Sequence, residues 1–494
     1  MLSPVVRTGL QLLGLLALAF VPLNLLAADS KPAAKQNVVL IVVDDQGFQA
    51  GCYGDKVVKT PNLDYLASQA TRFTRACCTT ASCSPSRSVI LTGMHNHANG
   101  QYGLAHTVHH FRTHEKVRSL PLLLGAAGYR TCSIGKMHVE PEAVYHFETY
   151  RNRGTQGHRN SVRMAKNAHE WLAEKDDRPF FLYYCSSDPH RARDASGFAN
   201  FNEKPGHYPG VVPVKYRPED IPVPAWLPDR PEVRGELAEY YQAISRLDQG
   251  LGLLFDALKE TGHWEDTLIV FLSDNGPPFP GAKTTLYQPG MQLPLIVRSP
   301  RQKSQGIVSN ARVSWVDIAP TILDFCGVDY PLSDASKPVP LVEDIPVHIT
   351  EMQGRSFLPI LDEAAPTGWD TLYGSHTFHE STMYYPVRVK IQGKYKYIHN
   401  LAHQLPFPFA SDLFESKSWQ STIQNHARLY GKRTVDAYIH RPVEELYDLE
   451  ADPDELHNLA TVEGHQKRLQ DFRTQMQAWQ RATYDPWSVK QIHE

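Results

Sequence analysis

Two acidic pairs stand at the ends of apolar runs in this sequence. Asp44-Asp45 follows Asn37–Val43 (NVVLIVV), and Asp274-Asn275 follows the run Thr267–Leu272. Adjacent carboxylates repel each other unless a cation holds them. Carboxylate and amide oxygens without thiolates suit a hard ion such as Ca2+ or Mg2+. An isolated Asp-Asp is no more than a solvated loop, but two such pairs, each closing a β-rich run, point to a metal. Two further runs end in acid/base groups, Gly135-Lys136-Met137-His138 and Asp188-Pro189-His190. Four strand ends that deliver such residues describe one site.

The elements that must position these groups alternate. Asn37–Val43 reads as a buried parallel strand, and Thr60-Pro61 opens a helix expected to run through Arg72. Ser119–Ala127 reads as a helix closed by Gly128, and Tyr129–Ile134 returns as a strand. A helix over Ser161–Lys175 precedes the strand Pro179–Cys185, and a long helix over Glu232–Thr261 precedes Thr267–Leu272. This α/β order predicts a mainly parallel sheet flanked by helices on both faces, with ligands beyond the carboxyl ends of its strands. Asn200–Asp229 is Pro-rich and reads as an irregular excursion, and a second linker lies near Pro331–Pro346. Beyond it, Val387–His399 reads as an antiparallel hairpin turning at Gln392-Gly393, and Glu463–Arg481 as a closing helix. The expected organisation is a catalytic domain over 37–345 and a smaller α+β domain with an antiparallel sheet over 350–494.

Composition narrows the function. The net charge of −3 excludes the basic balance of nucleic-acid binders, so any bound anion must be held locally. Arg7, a Leu-rich stretch from Leu10 to Leu26 and then Ala27-Ala28 describe a signal peptide over residues 1–28. The mature chain is therefore expected outside the cytoplasm, periplasmic or secreted, with no stable membrane anchor after cleavage. Its seven cysteines are odd in number, and the chain is too large to need a disulfide framework. An unpaired cysteine in an exported protein calls for an explanation.

Cys83-Ser84-Pro85-Ser86-Arg87 supplies one. Pro85 and Ser86 suit a helix start, whose free N–H groups favour an anion. A generic Cys-x-Pro would be a buried thiol at a helix start, but the full pentapeptide is far more specific. It fits the C-x-P-S-R motif that a maturation enzyme oxidises to formylglycine, and on it the chain resembles the type I sulfatases of the alkaline-phosphatase-like superfamily. The resemblance implies that Cys83 becomes an aldehyde whose hydrate carries two hydroxyls. One attacks sulfur, and deprotonating the other expels sulfate and restores the aldehyde. The roles carried over by position are as follows. Asp44, Asp45, Asp274 and Asn275, with an oxygen of modified Cys83, would bind one Ca2+. Arg87 would neutralise the hydrate or the sulfate. Lys136 would contact both, and His138 would be the base that triggers elimination. His190 would protonate the leaving group, and Lys283 would be the second cation on sulfate.

Other stretches are similar to one branch, the heparan N-sulfatases. They include Gln101–Leu104, Val108–Phe111, Val117–Pro121, Thr285–Gly290, His379-Glu380 with Met383–Pro386, His399–Leu401, Pro406–Pro408 and Asp485–Trp487. This likeness implies hydrolysis of the N–S bond in a terminal N-sulfoglucosamine of heparan or heparin. The implied partners are a sulfated glycosaminoglycan oligosaccharide and the formylglycine-generating enzyme. His379, Glu380 and Arg388 are candidates for gripping the sugar, with packing and surface pairing equally open to them. Members of that branch carry Arg where this chain has Lys283, a fork replaced by a point charge. The catalytic set specifies sulfuryl transfer while pocket walls choose the substrate, so a sugar O-sulfatase or arylsulfatase stays open. A phosphate or phosphonate monoester hydrolase stays open through its shared tetrahedral shape, and a non-catalytic sulfated-glycan binder if Cys83 never matures. His106, His109 and His110 have a spacing that could take zinc, although oxygen ligands already account for a metal. The oligomeric state is left open, a homo-oligomer included.

Overall fold

Residues 37–43 alternate between two cores. Val38, Leu40 and Val42 enter one cluster, Val39, Ile41 and Val43 the other, and every one is fully buried. A strand apolar on both faces must lie inside a sheet covered on both sides. The computed structural model, which describes residues 36–192, 197–198, 207–330 and 351–489, has that arrangement. The expected leader at 1–28 and the boundary between 345 and 350 fall outside the described residues. So does part of the Asn200–Asp229 excursion, whose described remainder holds only the 3-10 turn Pro218–Asp220.

The large sheet has eight strands: β1 (Asn37–Val43), β2 (Thr71–Phe73), β3 (Arg130–Gly135), β4 (Thr149–Tyr150), β5 (Phe180–Cys185), β6 (Thr267–Ser273), β7 (Leu295–Arg298) and β8 (Ile307–Ser309). Their spatial order is β4-β3-β5-β1-β6-β7-β2-β8. β1 pairs in parallel with β5 and β6, and β7 is the strand that runs the other way. The helices Ser161–Leu172 and Pro231–Glu260 cover one face through Met164, Trp171, Leu247, Leu251 and Phe255. Cys83–Thr92, Leu120–Ala126 and Ile318–Cys326 cover the other.

Most expected elements form within a few residues of their expected ends. One is corrected: the helix opened by Pro61 stops at Ser68, and Thr71–Phe73 forms β2 instead. Thr71 and Phe73 are fully buried between β7 and β8, so pairing with residues far along the chain overrides the local helical preference.

A second sheet is antiparallel, with Thr371–His376, Val387–Gln392, Tyr395–Asn400 and Glu444–Asp448 in that order. The hairpin turn falls at Gly393-Lys394, where Gly393 takes φ 58. Gln466–Ala482 packs Leu469, Phe472 and Met476 against Tyr397 and Leu446 on one face. Val387, Val389, Ile391 and Ile398 join the core of the large sheet on the other, so the two sheets share apolar contacts. All seven cysteines are free, and no helix among the described residues is long and apolar enough to cross a membrane.

Candidate active site

Each predicted group leaves the sheet at a strand end, and the four ends meet. β1 and β6 are neighbours, so Asp44-Asp45 and Asp274-Asn275 lie side by side, all four residues fully buried or nearly so. Asp45 takes φ 66, a left-handed conformation that costs free energy for a residue with a Cβ. Two contacts hold it there, and a third fixes the tyrosine that makes one of them. Its N–H donates to Asp274 Oδ1 at 3.0 Å, and its carbonyl accepts from Tyr240 Oη at 3.0 Å. That same hydroxyl accepts from Gly47 N–H. At the end of β3, Gly135 has φ 105, and a Cβ there would lie 1.8 Å from the carbonyl oxygen of Cys185. Only glycine lets the chain approach this closely, and the next residue, Lys136, then bonds its N–H to that carbonyl at 2.8 Å.

Cys83 begins the helix Cys83–Thr92. Its Sγ lies 3.8 Å from Asp45 Oδ1 and 3.5 Å from Asn275 Nδ2. Burial pushes the thiol well above its usual range, against the pull of Lys136 and Lys283. An unmodified Cys83 therefore stays protonated and is a poor nucleophile. One turn on, Arg87 is wholly buried. Its Nε donates to Asp274 Oδ2 at 2.8 Å and its Nη1 to the Lys136 carbonyl at 3.0 Å, while Nη2 reaches Asp44 Oδ1 at 3.5 Å.

The two lysines reach different members of the carboxylate cluster. Lys136 Nζ bonds Asp44 Oδ2 at 2.6 Å. Lys283 Nζ contacts Asp45 Oδ2 at 2.9 Å, His190 Nε2 at 3.0 Å and Asp412 Oδ2 at 2.9 Å. His190 Nδ1–H donates to the Arg191 carbonyl at 2.5 Å, which leaves the Nε2 lone pair facing Lys283. Burial, then the Lys283 charge, push His190 down to about 3. His138 takes φ 57 and meets His106 Nδ1 through its Nε2, and burial with Lys136 and His106 lowers it well below its usual range.

These oxygens fit a hard cation. Burial pushes Asp45 up to about 8, Lys283 opposing and Asp44 and Asp274 adding to the rise; Asp274 goes to about 6 for the same leading reason. Burial would raise Asp44 too, but Lys136, His190 and Arg87 hold it well below the usual carboxylate range. Three carboxylates packed together can all stay ionised when a divalent ion shares their charge. Asn275 Oδ1 is buried without a hydrogen-bond partner, a cost that a metal ligand would remove. Asp45, Cys83 and His190, and again Asp44, Cys83 and Asp274, bring potential ligand atoms within 4.8 Å of one another. His106, His109 and His110 make no such cluster among the described residues, so their spacing does not become a zinc site.

A cavity of about 600 Å³ opens over Cys83, His138, His190 and Lys283. Its far wall comes from the C-terminal part of the chain. His379 lines it and bonds Ser82 Oγ, next to Cys83, through Nδ1 at 2.8 Å. Glu380 lines it too, but its carboxylate accepts from Ser411 N–H at 2.9 Å and Ser411 Oγ at 2.8 Å. Arg388 is corrected: it is fully buried, paired with Asp485 at 2.6 and 2.8 Å, and does not line the cavity. The sequence reading missed Asp412, which lies in no motif. Only its place a few residues after Pro406-Phe407-Pro408 marked the neighbourhood.

Comparison with known proteins agrees with this geometry. The sulfatase family model matches residues 36–328, and the model for the C-terminal part of N-sulphoglucosamine sulphohydrolase matches 282–405. The human N-sulphoglucosamine sulphohydrolase is 41% identical over 473 residues, covering 92% of each chain. An ulvan-active sulfatase of Formosa agariphila is 26% identical over 95% of this chain and 84% of its own. A solved structure in complex with its substrate D-glucosamine-2-N,6-O-disulfate superimposes with a TM-score of 0.63 at 20% identity, covering 93% of this chain and all of the other, which speaks for the fold. A shared scaffold by itself says little about chemistry, but two family models that together span the strand ends and the part of the cavity wall at His379-Glu380, with a relative alike along both chains, decide it: this chain belongs to the sulfatase family and hydrolyses sulfate esters or sulfamates.

Proposed function

We propose that the protein removes the N-sulfate of a terminal N-sulfoglucosamine in heparan or heparin fragments. In this reading one Ca2+ is held by Asp44, Asp45, Asp274 and Asn275, and Cys83 is matured to formylglycine. The observation that carries it is the 41% identity to the human N-sulphoglucosamine sulphohydrolase over 92% of both chains. Likeness confined to the strand ends would report only shared sulfuryl chemistry. Likeness that continues through the cavity wall bears on substrate choice as well.

The ion would supply Lewis acidity and the modified residue an oxygen nucleophile. The chain's own side chains do the rest. Lys136, bonded to Asp44, and Lys283, bonded to Asp45, would hold the anionic sulfuryl group and meet its developing charge. Arg87 fixes Asp274 and Asp44 in place. His138, which lines the same cavity as Cys83, would be the base there. His190, its ring oriented by the Arg191 carbonyl, would present Nε2 to the departing nitrogen; this atom holds a lone pair in the resting ring and would donate there only a proton it has first taken up from water. A cavity of about 600 Å³ is within the size range of small-ligand sites, which suits the end of an oligosaccharide. The mature chain would act outside the cytoplasm, with a mature N-terminus just past Ala28.

The test is direct. Matured, calcium-loaded protein is given N-sulfoglucosamine and, separately, 6-O-sulfoglucosamine, and free sulfate is measured. We expect kcat/KM for the N-sulfate to be higher by about 100-fold. Release from oxygen alone would remove the N-sulfate assignment and leave a sulfatase. Mass spectrometry of the peptide holding residue 83 should show sulfur replaced by oxygen with two hydrogens lost. An intact thiol in an active preparation would refute the maturation.

A further inference from the structure

Asp412 is a charged residue of the cavity that lies in no motif and touches the catalytic set. It sits in the turn Ser411–Phe414, which Glu380 holds by accepting from Ser411 N–H and Oγ. Its side chain is one-quarter exposed, and it lines the cavity beside Lys283 and His190. Oδ2 accepts from Lys283 Nζ at 2.9 Å and lies 4.0 Å from His190 Nε2, the atom placed to protonate a leaving group. Oδ1 is buried and has no hydrogen-bond partner among the described residues, so the exposed quarter of the side chain is not at this oxygen and a substrate N–H would reach Oδ2 or require Oδ1 to turn outward. A carboxylate can accept about four hydrogen bonds, and here the described residues fill one. Burial opposes its charge, but the Lys283 ammonium on Oδ2 keeps it ionised.

An ionised acceptor beside the leaving-group donor distinguishes two kinds of substrate. A sulfamate, R–NH–SO3−, carries a hydrogen on its bridging atom. A sulfate ester, R–O–SO3−, carries none there and turns lone pairs toward the same place. When the S–N bond breaks, the sulfuryl group passes to the nucleophile and the electron pair stays on nitrogen. One proton, taken up from water and passed on by His190 Nε2, gives the amine, and a second from water gives an ammonium. The corresponding S–O break ends after one proton at a neutral alcohol. A carboxylate accepts from the sulfamate N–H, pairs with the ammonium, and repels the ester oxygen.

We propose that Asp412 is the specificity-determining residue that reads the bridging N–H and so sets this enzyme for nitrogen over oxygen. The inference rests on the N-sulfate reading above and deepens it. Lys283 and the metal ligands serve both substrates alike, since both present the same sulfuryl oxygens. Asp412 lies on the side where the two differ.

The test uses a pair matched in all but the bridging atom, N-sulfoglucosamine and 2-O-sulfoglucose, with matured, calcium-loaded wild type, Asp412→Asn and Asp412→Ala. Asp412→Asn keeps the size of the side chain, and thermal melting checks that both variants fold. Loss of one hydrogen bond to a charged acceptor should lower kcat/KM for the N-sulfate by about 10- to 200-fold. The loss for 2-O-sulfoglucose should be smaller by at least about tenfold, so the selectivity ratio collapses. Product inhibition gives a second readout. Glucosamine should inhibit wild type more strongly than glucose does, and both variants should lose that difference. Equal losses on the two substrates, as expected if Asp412 only steadies Lys283, would overturn the inference while the N-sulfate reading stands. A wild-type preference for 2-O-sulfoglucose would overturn both.

Discussion

The two sheets each hold a fully buried arginine on a buried aspartate, and the two pairs differ in what surrounds them. On the small sheet, Arg388 gives Nε and Nη2 to Asp485, and its Nη1 donates to the Val387 carbonyl. Asp485 accepts further from Gln480 Nε2 and Trp487 N–H, and the Trp487 ring lies 5.2 Å from the guanidinium. That cluster is closed. At the strand ends, Arg87 also holds an aspartate, but the cluster stays open. Asn275 Oδ1 has no partner, Asp45 is strained, and Lys283 divides its contacts among three groups. A buried charge whose neighbours are all satisfied specifies a fold. One whose neighbours keep unused oxygens is prepared for a ligand.

The sharpest way to break this comparison is to remove function from the open cluster without touching its stability. Cys83 Sγ makes only two long contacts, to Asp45 and Asn275. Cys83→Ala should lower kcat by about 10^4-fold or more, the scale for loss of a nucleophile, and leave the melting temperature near that of the unmodified protein. Activity assays and calorimetry on one preparation measure both. Residual activity within about tenfold of wild type would place the nucleophile elsewhere.

The same contrast explains what the sequence disclosed. Strand ends are legible because an apolar run announces the strand and the next residues must lie at its end. Asp44, Lys136, His190 and Asp274 were found that way before any geometry. The wall is different. Asp412 reaches the cavity from the turn Ser411–Phe414, which no periodicity marks, and Glu380, found by resemblance alone, reaches it from a different loop that holds that turn. Arg388 was left open between sugar and packing because its partner lies 97 positions away, and nothing local tells a charge facing a sugar from one facing Asp485. The helix expected through Arg72 failed for a related reason: β7 and β8, which capture Thr71–Phe73, are more than two hundred residues downstream.

Breaking the closed cluster should have the opposite result. Arg388→Ala leaves Asp485 ionised and buried without its cation, which costs about 3–5 kcal/mol. The protein that still folds should keep kcat within about threefold, since Arg388 does not line the cavity. Denaturant unfolding gives the first quantity and active-site-normalised kinetics the second. The double variant Arg388→Met with Asp485→Leu should recover most of the loss, because two apolar groups of similar size leave no charge stranded. A double variant as unstable as the single one would show that the pair contributes more than it costs to bury.

The smallest effect concerns a charge that belongs to neither cluster. Lys390 lies on the same strand as Arg388 and is covered by its surroundings. Its Nζ bonds Gln392 Oε1 at 3.1 Å and lies 4.9 Å from the Phe472 ring centre. Burial lowers its pKa from 10.5 to about 8, with Asp370 opposing. Between pH 8 and 10.5 the unfolded chain therefore keeps a proton that the folded chain has released, so stability from this group rises with pH across that window. The rise is about 1–3 kcal/mol, the lower figure applying if water reaches the ammonium. Other lysines, tyrosines and cysteines titrate there too, so the quantity to measure is a difference. Urea midpoints of wild type and Lys390→Met at pH 8 and pH 10 should converge by that amount as pH rises, because the variant has no ammonium to desolvate. Parallel midpoints at the two pH values would mean that Gln392, Gln475 and the aromatic rings hold the charged form as well as water does, and that this site too is a closed one.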